Sequence, residues 1–346
     1  MTKNSINIVI AGATGYVGLD LVYLLSKHPN VKIKYLCAQK NIGKKINKFD
    51  KRIKKNLPSI SKIQSVDWKK IDLLFLSLPN GEAQKVINKL YYKYENLKFI
   101  DLSADFRIEN EIKYNKTYNK KHKAKKLIKK SIYAISELTK KRLHKFRIIA
   151  NPGCYPTSIQ LPLIPLFKKN LIEIKNITID SKSGYSGAGK NYKSKFNFKN
   201  FYLSTYAYAV KNHRHIEEID QEFRKISKNI IFTFNPHLIP SFRGILSSIY
   251  INKKKGVSTN KIIKTLKLFY KSDYFIKIYK QNSQIGTGNV INTNNCDISV
   301  CQTRIKDKIV IFSAIDNLVK GAAGQAIQNM NNLFNFNVSL GLKWNL

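Results

Sequence analysis

A glycine-rich turn between a short apolar strand and an amphipathic helix constrains the fold of this chain most strongly. The apolar run Ile6–Ile10 leads into the turn Gly12–Gly18, and a helical pattern covers Tyr16–Lys27. Glycines here let the backbone approach a pyrophosphate, and the helix N-terminus offers unpaired N–H groups with partial positive charge. The placement therefore predicts a dinucleotide-binding loop, for which a simple tight turn is the alternative.

The segment after the second predicted strand bears on which dinucleotide binds. NAD sites usually place an acid at the end of this strand, where it binds the ribose hydroxyls. Here Val31–Cys37 is followed by residues 38–45, which contain Lys40, Lys44 and Lys45 and no acid. Because cations suit the 2′-phosphate, the sequence favours NADP over NAD.

Strand and helix patterns alternate through the first half of the chain and then change character. Alternation of this kind predicts βαβ units and a parallel sheet covered on both faces. After Asn151 several strand patterns follow one another, interrupted by fewer helices, which indicates a mixed or antiparallel sheet. The predicted fold class is α/β, with a Rossmann-type parallel-sheet domain and a second α+β domain.

A cysteine at a predicted helix start is the sharpest local feature. Cys154 follows the turn Pro152-Gly153, and Pro156 suits the first turn of a helix. Aligned N–H groups at a helix N-terminus stabilise a thiolate and can hold a developing oxyanion. The alternative is a structural cysteine near a helix cap.

Two further segments carry groups suited to catalysis. Ser183–Lys190 combines small residues with a lysine, which can cradle a phosphate through backbone N–H groups; a plain loop is the alternative. His213 and His215 flank Arg214, and a histidine can move a proton near neutral pH. Taken alone, the two histidines are interpreted as a surface pair.

The chain carries a formal net charge of +41, with 62 lysines and arginines against 21 acids. A nucleic-acid or membrane-surface partner is one interpretation. We favour a general compositional bias, because the lysines form short dispersed runs such as Lys123–Lys130 without a nucleic-acid-binding motif. We therefore expect neither a nucleic acid nor a membrane as partner.

Cysteine use and the N-terminus indicate where the chain acts. Four cysteines in 346 residues suit a reducing compartment, and Met1–Ser5 leads straight into a strand without room for a secretory signal. We expect a cytoplasmic protein. Cys296 and Cys301 lie close together but lack the other ligands of a zinc site, so no metal is predicted.

Taken together, the motifs resemble those of the N-acetyl-gamma-glutamyl-phosphate reductase family along essentially the whole chain. Aspartate-semialdehyde and glyceraldehyde-phosphate dehydrogenases are its wider relatives. The resemblance rests on ordered motifs at residues 11–18, 103–107, 151–157, 183–190, 213–216, 236–244 and 316–326.

The resemblance implies a role for each motif. Cys154 matches the family's nucleophile, and His213 or His215 matches its acid/base histidine. The implied cofactor contacts are Gly12, Thr14, Gly15, Tyr16, Val17, Leu78, Pro79, Ser183, Gly184 and Asn317. The implied contacts to the phosphate and the substrate carboxylate are Arg107, Lys190, Arg214 and Arg243.

The resemblance also implies an activity and a domain plan. The activity is NADPH-dependent reduction of an acyl phosphate through a cysteine thioester, releasing inorganic phosphate, in arginine biosynthesis. The plan is an NADP-binding domain of residues 1–150 plus 317–346 and a catalytic and oligomerisation domain of residues 151–316, in a homodimer or homotetramer. The alternatives are a sibling enzyme acting on aminoadipyl or aspartyl phosphate, a basic nucleic-acid-binding protein on a Rossmann scaffold, and a decayed enzyme.

Overall fold

The computed structural model of the protein describes residues 5–190 and 204–342. Within these ranges the chain divides into two compact units: residues 5–152 with 322–342, and residues 153–190 with 204–321. The first four residues, over which no secretory signal is predicted, lie outside the described part, as do the last four. No helix among the described residues combines the length and apolarity that a membrane crossing needs.

Seven parallel strands form the sheet of the first unit, as far as the chain is described. Their order is β3-β2-β1-β4-β5-β7-β6. The order reverses beside β1, between β2 and β4, which is where a doubly wound sheet forms its ligand crevice. The strands are β1 (Ile6–Ala11), β2 (Val31–Cys37), β3 (Ile60–Ser61), β4 (Leu73–Leu76), β5 (Lys98–Asp101), β6 (Ser131–Tyr133) and β7 (Ile148–Ala150).

The described helices are distributed over both units. The last of them follows a π-helical turn at Val319–Ala323. The helices are α1 (Tyr16–Ser26), α2 (Ala83–Tyr91), α3 (Glu111–Tyr118), α4 (Lys125–Ile128), α5 (Ser136–Thr139), α6 (Cys154–Lys168), α7 (His215–Arg224), α8 (Thr259–Phe269) and α9 (Gly324–Leu333).

The tail helix α9 belongs to the first unit, where buried amide side chains attach it. Gln328 Nε2 donates to Glu137 Oε1 at 2.7 Å, and Asn329 Nδ2 donates to the Ala134 carbonyl at 3.0 Å. Asn331 Oδ1 lies 3.0 Å from His28 Nε2 at the end of α1. The first unit is therefore completed by a segment from the far end of the chain.

The second unit is built on a mixed sheet in the order β12-β13-β14-β11-β8-β10-β9. β8 and β10 are parallel, whereas β11 is antiparallel to both β8 and β14. The strands are β8 (Ile177–Gly184), β9 (Tyr206–Ala207), β10 (Phe232–Ile239), β11 (Ile245–Asn252), β12 (Ile276–Ile278), β13 (Cys296–Gln302) and β14 (Lys308–Ile315).

A chain of buried hydroxyls joins α6 to the middle of this sheet. Ser247 Oγ on β11 lies 2.8 Å from Ser158 Oγ on α6 and 2.7 Å from Ser181 Oγ on β8. All three residues are fully buried. Buried hydroxyls need such partners, so this chain fixes the helix that begins at Cys154 to the two central strands.

The predicted fold class is confirmed, with a parallel Rossmann-type sheet and a second, mixed sheet. The predicted division between a cofactor domain and a catalytic domain stays a prediction. Strand β10 continues through Pro236 to Ile239. Proline is tolerated there because only the two-residue strand β9 lies beyond β10, at the edge of the sheet.

Candidate functional site

The glycine loop between β1 and α1 has backbone geometry that side chains would block. Gly12 has a φ of +82°, and a Cβ there would lie 2.1 Å from the Ser77 carbonyl oxygen. A Cβ at Gly18 would lie 2.1 Å from the Gly12 oxygen. No side chain caps α1 at Gly15. Because these glycines have no Cβ, the loop is compact enough for a pyrophosphate to approach the start of the helix.

The structure brings the predicted loop residues of the first unit together. Thr14, Tyr16 and Val17 lie at the start of α1, and the Gly12–Ser77 contact places the segment beginning at Leu78 and Pro79 beside this loop. Both lie at the carboxyl ends of adjacent strands, β1 and β4. A dinucleotide fits this arrangement because the loop offers backbone N–H groups to its phosphates.

The three lysines after β2 differ in their contacts. Lys44 Nζ donates to Asn41 Oδ1 at 3.1 Å, and Lys45 Nζ donates to the Leu57 carbonyl at 3.2 Å. Both cations therefore support the shape of their own loop. Lys40 is exposed and lies closest to the end of β2, so it is the strongest candidate for contacting a 2′-phosphate.

In the second unit, Cys154 is the first residue of α6. Gly153 precedes it in an extended conformation, and no side chain caps the helix there. The Cys154 side chain is partly exposed, and Gly321 lies against it, since a Cβ on that glycine would be 2.6 Å from Cys154 Cβ. A thiolate at this position benefits from the helix dipole and the first-turn N–H groups.

A buried carboxylate connects the cysteine turn to a histidine. Glu218 Oε2 accepts the Gly153 N–H at 2.9 Å, and Glu218 Oε1 lies 3.8 Å from His215 Nε2. The imidazole lies directly over Gly153, because a Cβ there would be 2.5 Å from His215 Nε2. Glu218 and His215 thus meet at the turn that precedes Cys154, and these three types of group are the ones that covalent catalysis uses.

His213 occupies a different environment from His215, although their ring centroids are only 4.8 Å apart. The backbone N–H of His215 donates to His213 Nδ1 at 3.1 Å. A neutral His213 ring must then carry its proton on Nε2, which lies 3.4 Å from the Tyr208 hydroxyl. Tyr208 in turn donates to the Tyr155 hydroxyl at 3.3 Å.

Burial sets the protonation of this aromatic cluster. It lowers the pKa of His213 to about 3, with a further contribution from the Arg214 charge. Burial raises the pKa of Tyr208 to about 12 and that of Tyr155 well above its ordinary value, and the Cys154 charge acts in the same direction on both phenols. At neutral pH His213 is therefore uncharged and both phenols keep their protons.

The interpretation of the two histidines as a surface pair is wrong. His213 and His215 are 9% and 5% exposed. α7 begins only at His215, so His213 lies outside the helix and the rings are free to converge. Helical geometry does not apply to a pair that spans a helix start.

The remaining predicted cofactor residues cluster within the second unit. The Gly184 N–H donates to the Gly244 carbonyl at 2.8 Å. Asn317 Oδ1 accepts the Gly244 N–H at 2.7 Å, and Asn317 Nδ2 donates to Ser186 Oγ at 2.8 Å. The Asn317 amide thus supports the loop that follows Ser183. Direct contact of these residues with the cofactor stays a prediction.

The four predicted anion binders differ in their environments. Arg107, in the first unit, is buried and donates to the Asn151 and Leu102 carbonyls, both at 2.8 Å. In the second unit, Arg243 lies 3.3 Å from buried Asp316. Arg214 precedes α7 and Lys190 is exposed. Their contact with substrate stays a prediction.

Sequence reasoning missed Glu218 and Tyr208 as members of the site. Glu218 had a usable signal, because it follows His215 by three residues and so shares its helix face. Tyr208 had none, since its position depends on the loop that leads to His213.

Gly153→Ala should reduce turnover at least about tenfold, because the new methyl group displaces the buried His215 ring. The extended φ of −71° at Gly153 tolerates alanine, so backbone strain is not the cause. Gly286→Ala is a matched control, since a Cβ there meets nothing within 4 Å. Steady-state kinetics measure the turnover of both variants, and melting curves check that both are folded. Unchanged turnover in the Gly153 variant would contradict the position of the His215 ring over Gly153.

His213→Gln should change how stability depends on pH. In the unfolded wild type His213 takes up a proton near pH 6.5, whereas in the native state it stays neutral down to about pH 3. The free energy of unfolding therefore falls as the pH decreases from about 6.5 to about 3. Between pH 7.5 and pH 5 the wild type should lose up to about 2 kcal/mol more than the variant. Denaturant unfolding at both pH values measures it, with exposed His144→Gln as control; equal losses would refute a neutral, buried His213.

Comparison with known proteins places these features in a family. A model of the semialdehyde dehydrogenase NAD-binding domain matches residues 7–146, and one of the semialdehyde dehydrogenase dimerisation domain matches residues 154–317. An N-acetyl-gamma-glutamyl-phosphate reductase of Ehrlichia canis is 41% identical over 97% of this chain and 97% of its own. A probable chloroplastic one of Arabidopsis thaliana is 38% identical over 98% of this chain and 84% of its own.

Solved structures agree on the fold. Aspartate semialdehyde dehydrogenase II of Vibrio cholerae, complexed with ASA, has a TM-score of 0.72 at 17% identity, over 96% of this chain and 98% of its own. The aspartate semialdehyde dehydrogenase of Candida albicans, with NADP, has a TM-score of 0.63 at 15% identity, over 96% and 99%. With a dinucleotide-binding domain of the semialdehyde dehydrogenase type and the resemblance of its motifs confirmed, the chain belongs to the N-acetyl-gamma-glutamyl-phosphate reductase family.

Proposed function

We propose that this chain catalyses the NADPH-dependent reductive dephosphorylation of N-acetyl-L-glutamyl 5-phosphate to N-acetyl-L-glutamate 5-semialdehyde, a step of arginine biosynthesis. The observation that carries the proposal is the arrangement of Cys154, His215 and Glu218 around the Gly153 turn. It combines a thiol at a helix start with an imidazole and a carboxylate, which is what acyl transfer to sulfur requires.

In the biosynthetic direction the Cys154 thiolate attacks the acyl carbon, the bond to phosphate breaks, and inorganic phosphate leaves from a thioester. NADPH, when bound, supplies the hydride that reduces this thioester. The first-turn N–H groups of α6 then stabilise the negative oxygen of the tetrahedral adduct. The adduct collapses to the aldehyde and expels the Cys154 thiolate.

His215 is the acid/base of this scheme. A group that moves protons near neutral pH needs a pKa near that range, and burial places that of His213 near 3. His215 instead lies with its Nε2 3.8 Å from the Glu218 carboxylate and directly over the Gly153 turn. His213 Nδ1 accepts the backbone N–H of His215 and so supports the start of α7, which carries that ring.

Cys154→Ser should bind NADPH normally and lose most turnover, by at least about 10³-fold. The assay is phosphate-dependent reduction of NADP with N-acetylglutamate semialdehyde, compared with the aminoadipate and aspartate semialdehydes. Cys301→Ser is a matched control at a partly exposed cysteine on β13. Near-wild-type turnover in the Cys154 variant would remove this sulfur from the mechanism, and preference for another semialdehyde would reassign the substrate.

NADP is the proposed cofactor, and Lys40 the proposed contact to its 2′-phosphate. Lys40→Ala should raise the KM for NADPH roughly tenfold and leave that for NADH nearly unchanged, because only NADPH carries the phosphate. Lys34→Ala, an exposed lysine on β2 itself, is the control. Equal effects of Lys40→Ala on both cofactors would exclude the assignment.

We further propose a homodimer or homotetramer assembled through one face of the second sheet. Leu246, Tyr250 and Phe312 lie on neighbouring strands and point away from α6, and each is only partly covered within the chain. Phe312→Asp should shift the chain toward monomer in analytical ultracentrifugation. Ile305→Asp, at an exposed position between β13 and β14, should not. A wild type that sediments as a monomer would refute the assembly.

The proposed location is the cytoplasm, with the acyl phosphate and inorganic phosphate as small-molecule partners. The reading as a nucleic-acid-binding protein predicts salt-dependent DNA or RNA binding without NADPH turnover. The dispersed lysines and the intact Cys154–His215–Glu218 arrangement favour the enzyme.

A further inference from the structure

The carboxylate of Asp105 is fully buried in the first unit and is engaged on both oxygens. Oδ1 accepts the Gly81 N–H at 2.7 Å, and Oδ2 accepts the Gln84 N–H at 3.0 Å. Both donors lie at the start of α2, where Glu82 occupies the cap position but its side chain does not cap the helix. Asp105 therefore caps α2 from a distant part of the chain, as a charged acceptor suited to a helix N-terminus.

A short series of side-chain turns after β5 holds Asp105 in place. Asp101 Oδ1 accepts the Ser103 N–H at 2.9 Å, and Ser103 Oγ accepts the Asp105 N–H at 3.1 Å. In irregular segments the side chains of Asp and Ser commonly accept a hydrogen bond from the backbone N–H two residues further on. The carboxylate is thus fixed to the carboxyl end of a sheet strand.

Tyr114 on α3 extends the same network. Its hydroxyl lies 3.0 Å from Asp105 Oδ1 and 2.8 Å from Asn80 Oδ1, and it accepts from Gln84 Nε2 at 3.0 Å. The Tyr114 side chain is fully buried. Asn80 and Gly81, the end of the segment that begins at Leu78, are consequently held by α3 and by the loop after β5.

This segment lies at the ligand edge of the parallel sheet. It follows β4, which pairs with β1, and Ser77 touches Gly12 of the glycine loop. In doubly wound sheets a dinucleotide binds at that edge, where the strand order reverses. Gly81 has a φ of +93°, so the segment also depends on a conformation that side chains rarely adopt.

We propose that Asp105 is a positioning residue for the cofactor: it holds residues 78–81 in the shape that receives the dinucleotide. The inference rests on the proposed function, since it concerns the cofactor of that reaction. A segment ordered in advance loses less entropy on binding. Releasing it should therefore weaken cofactor binding without slowing the chemical step.

The test is Asp105→Asn in the full chain, with NADPH. Asparagine has one acceptor oxygen and cannot accept both backbone N–H groups in this geometry. We expect the Kd and KM for NADPH to rise roughly tenfold, with kcat at saturating NADPH within about twofold of wild type. Hydrogen exchange should accelerate in peptides covering residues 78–85.

Two variants keep the test decisive. Tyr114→Phe removes one hydroxyl and keeps the buried ring, so we expect it to fold and to raise the Kd for NADPH about threefold. Asp72→Asn is the matched control, since its Oδ2 accepts the Asn7 N–H at 2.8 Å at the opposite end of the same sheet; it should leave the Kd unchanged.

The outcomes separate this inference from the proposed function. Wild-type Kd and exchange in Asp105→Asn, or in Tyr114→Phe if the first does not fold, overturn the inference. A wild type that binds NADPH but does not act on N-acetylglutamate semialdehyde overturns the proposed function, and the Kd comparison still decides the inference. A wild type that binds neither NADPH nor NADH overturns both.

Discussion

The contact between the Glu218 carboxylate and the Gly153 N–H is the constraint on which the second unit's site depends. It fixes the residue before Cys154, and the same carboxylate faces the imidazole of His215. One fully buried acid on α7 thereby contacts both the turn before α6 and the ring of His215. Because the acid is buried, its charge acts at short range with little screening from solvent.

Much of the fold follows from local patterns in the sequence. The strand Val31–Cys37 has the predicted limits, because its apolar residues alternate with lysines and so form a clear strand pattern. Between Phe106 and Phe146 the sequence pattern indicates neither the helices nor the buried residues. Its helices are short, and Tyr114 and His122 are buried among lysine-rich stretches that suggest exposure.

The candidate site was predictable in its parts and not in its connections. Cys154 and the glycine loop stand out because their local geometry demands particular residue types. Asp105, Tyr208 and Glu218 act through partners 24, 5 and 65 residues away in the chain, and a single sequence does not show which partners they meet. The charge state of His213 likewise depends on burial, which neighbouring residues do not reveal.

The attachment of α9 to the first unit has a consequence for biosynthesis. Gln328, Asn329 and Asn331 reach their partners in that unit only after the whole of the second unit has left the ribosome. At ordinary rates of translation this takes roughly 10–30 s. During that interval the nascent Rossmann sheet lacks α9, so the first unit reaches its mature form only when synthesis of the chain is nearly complete.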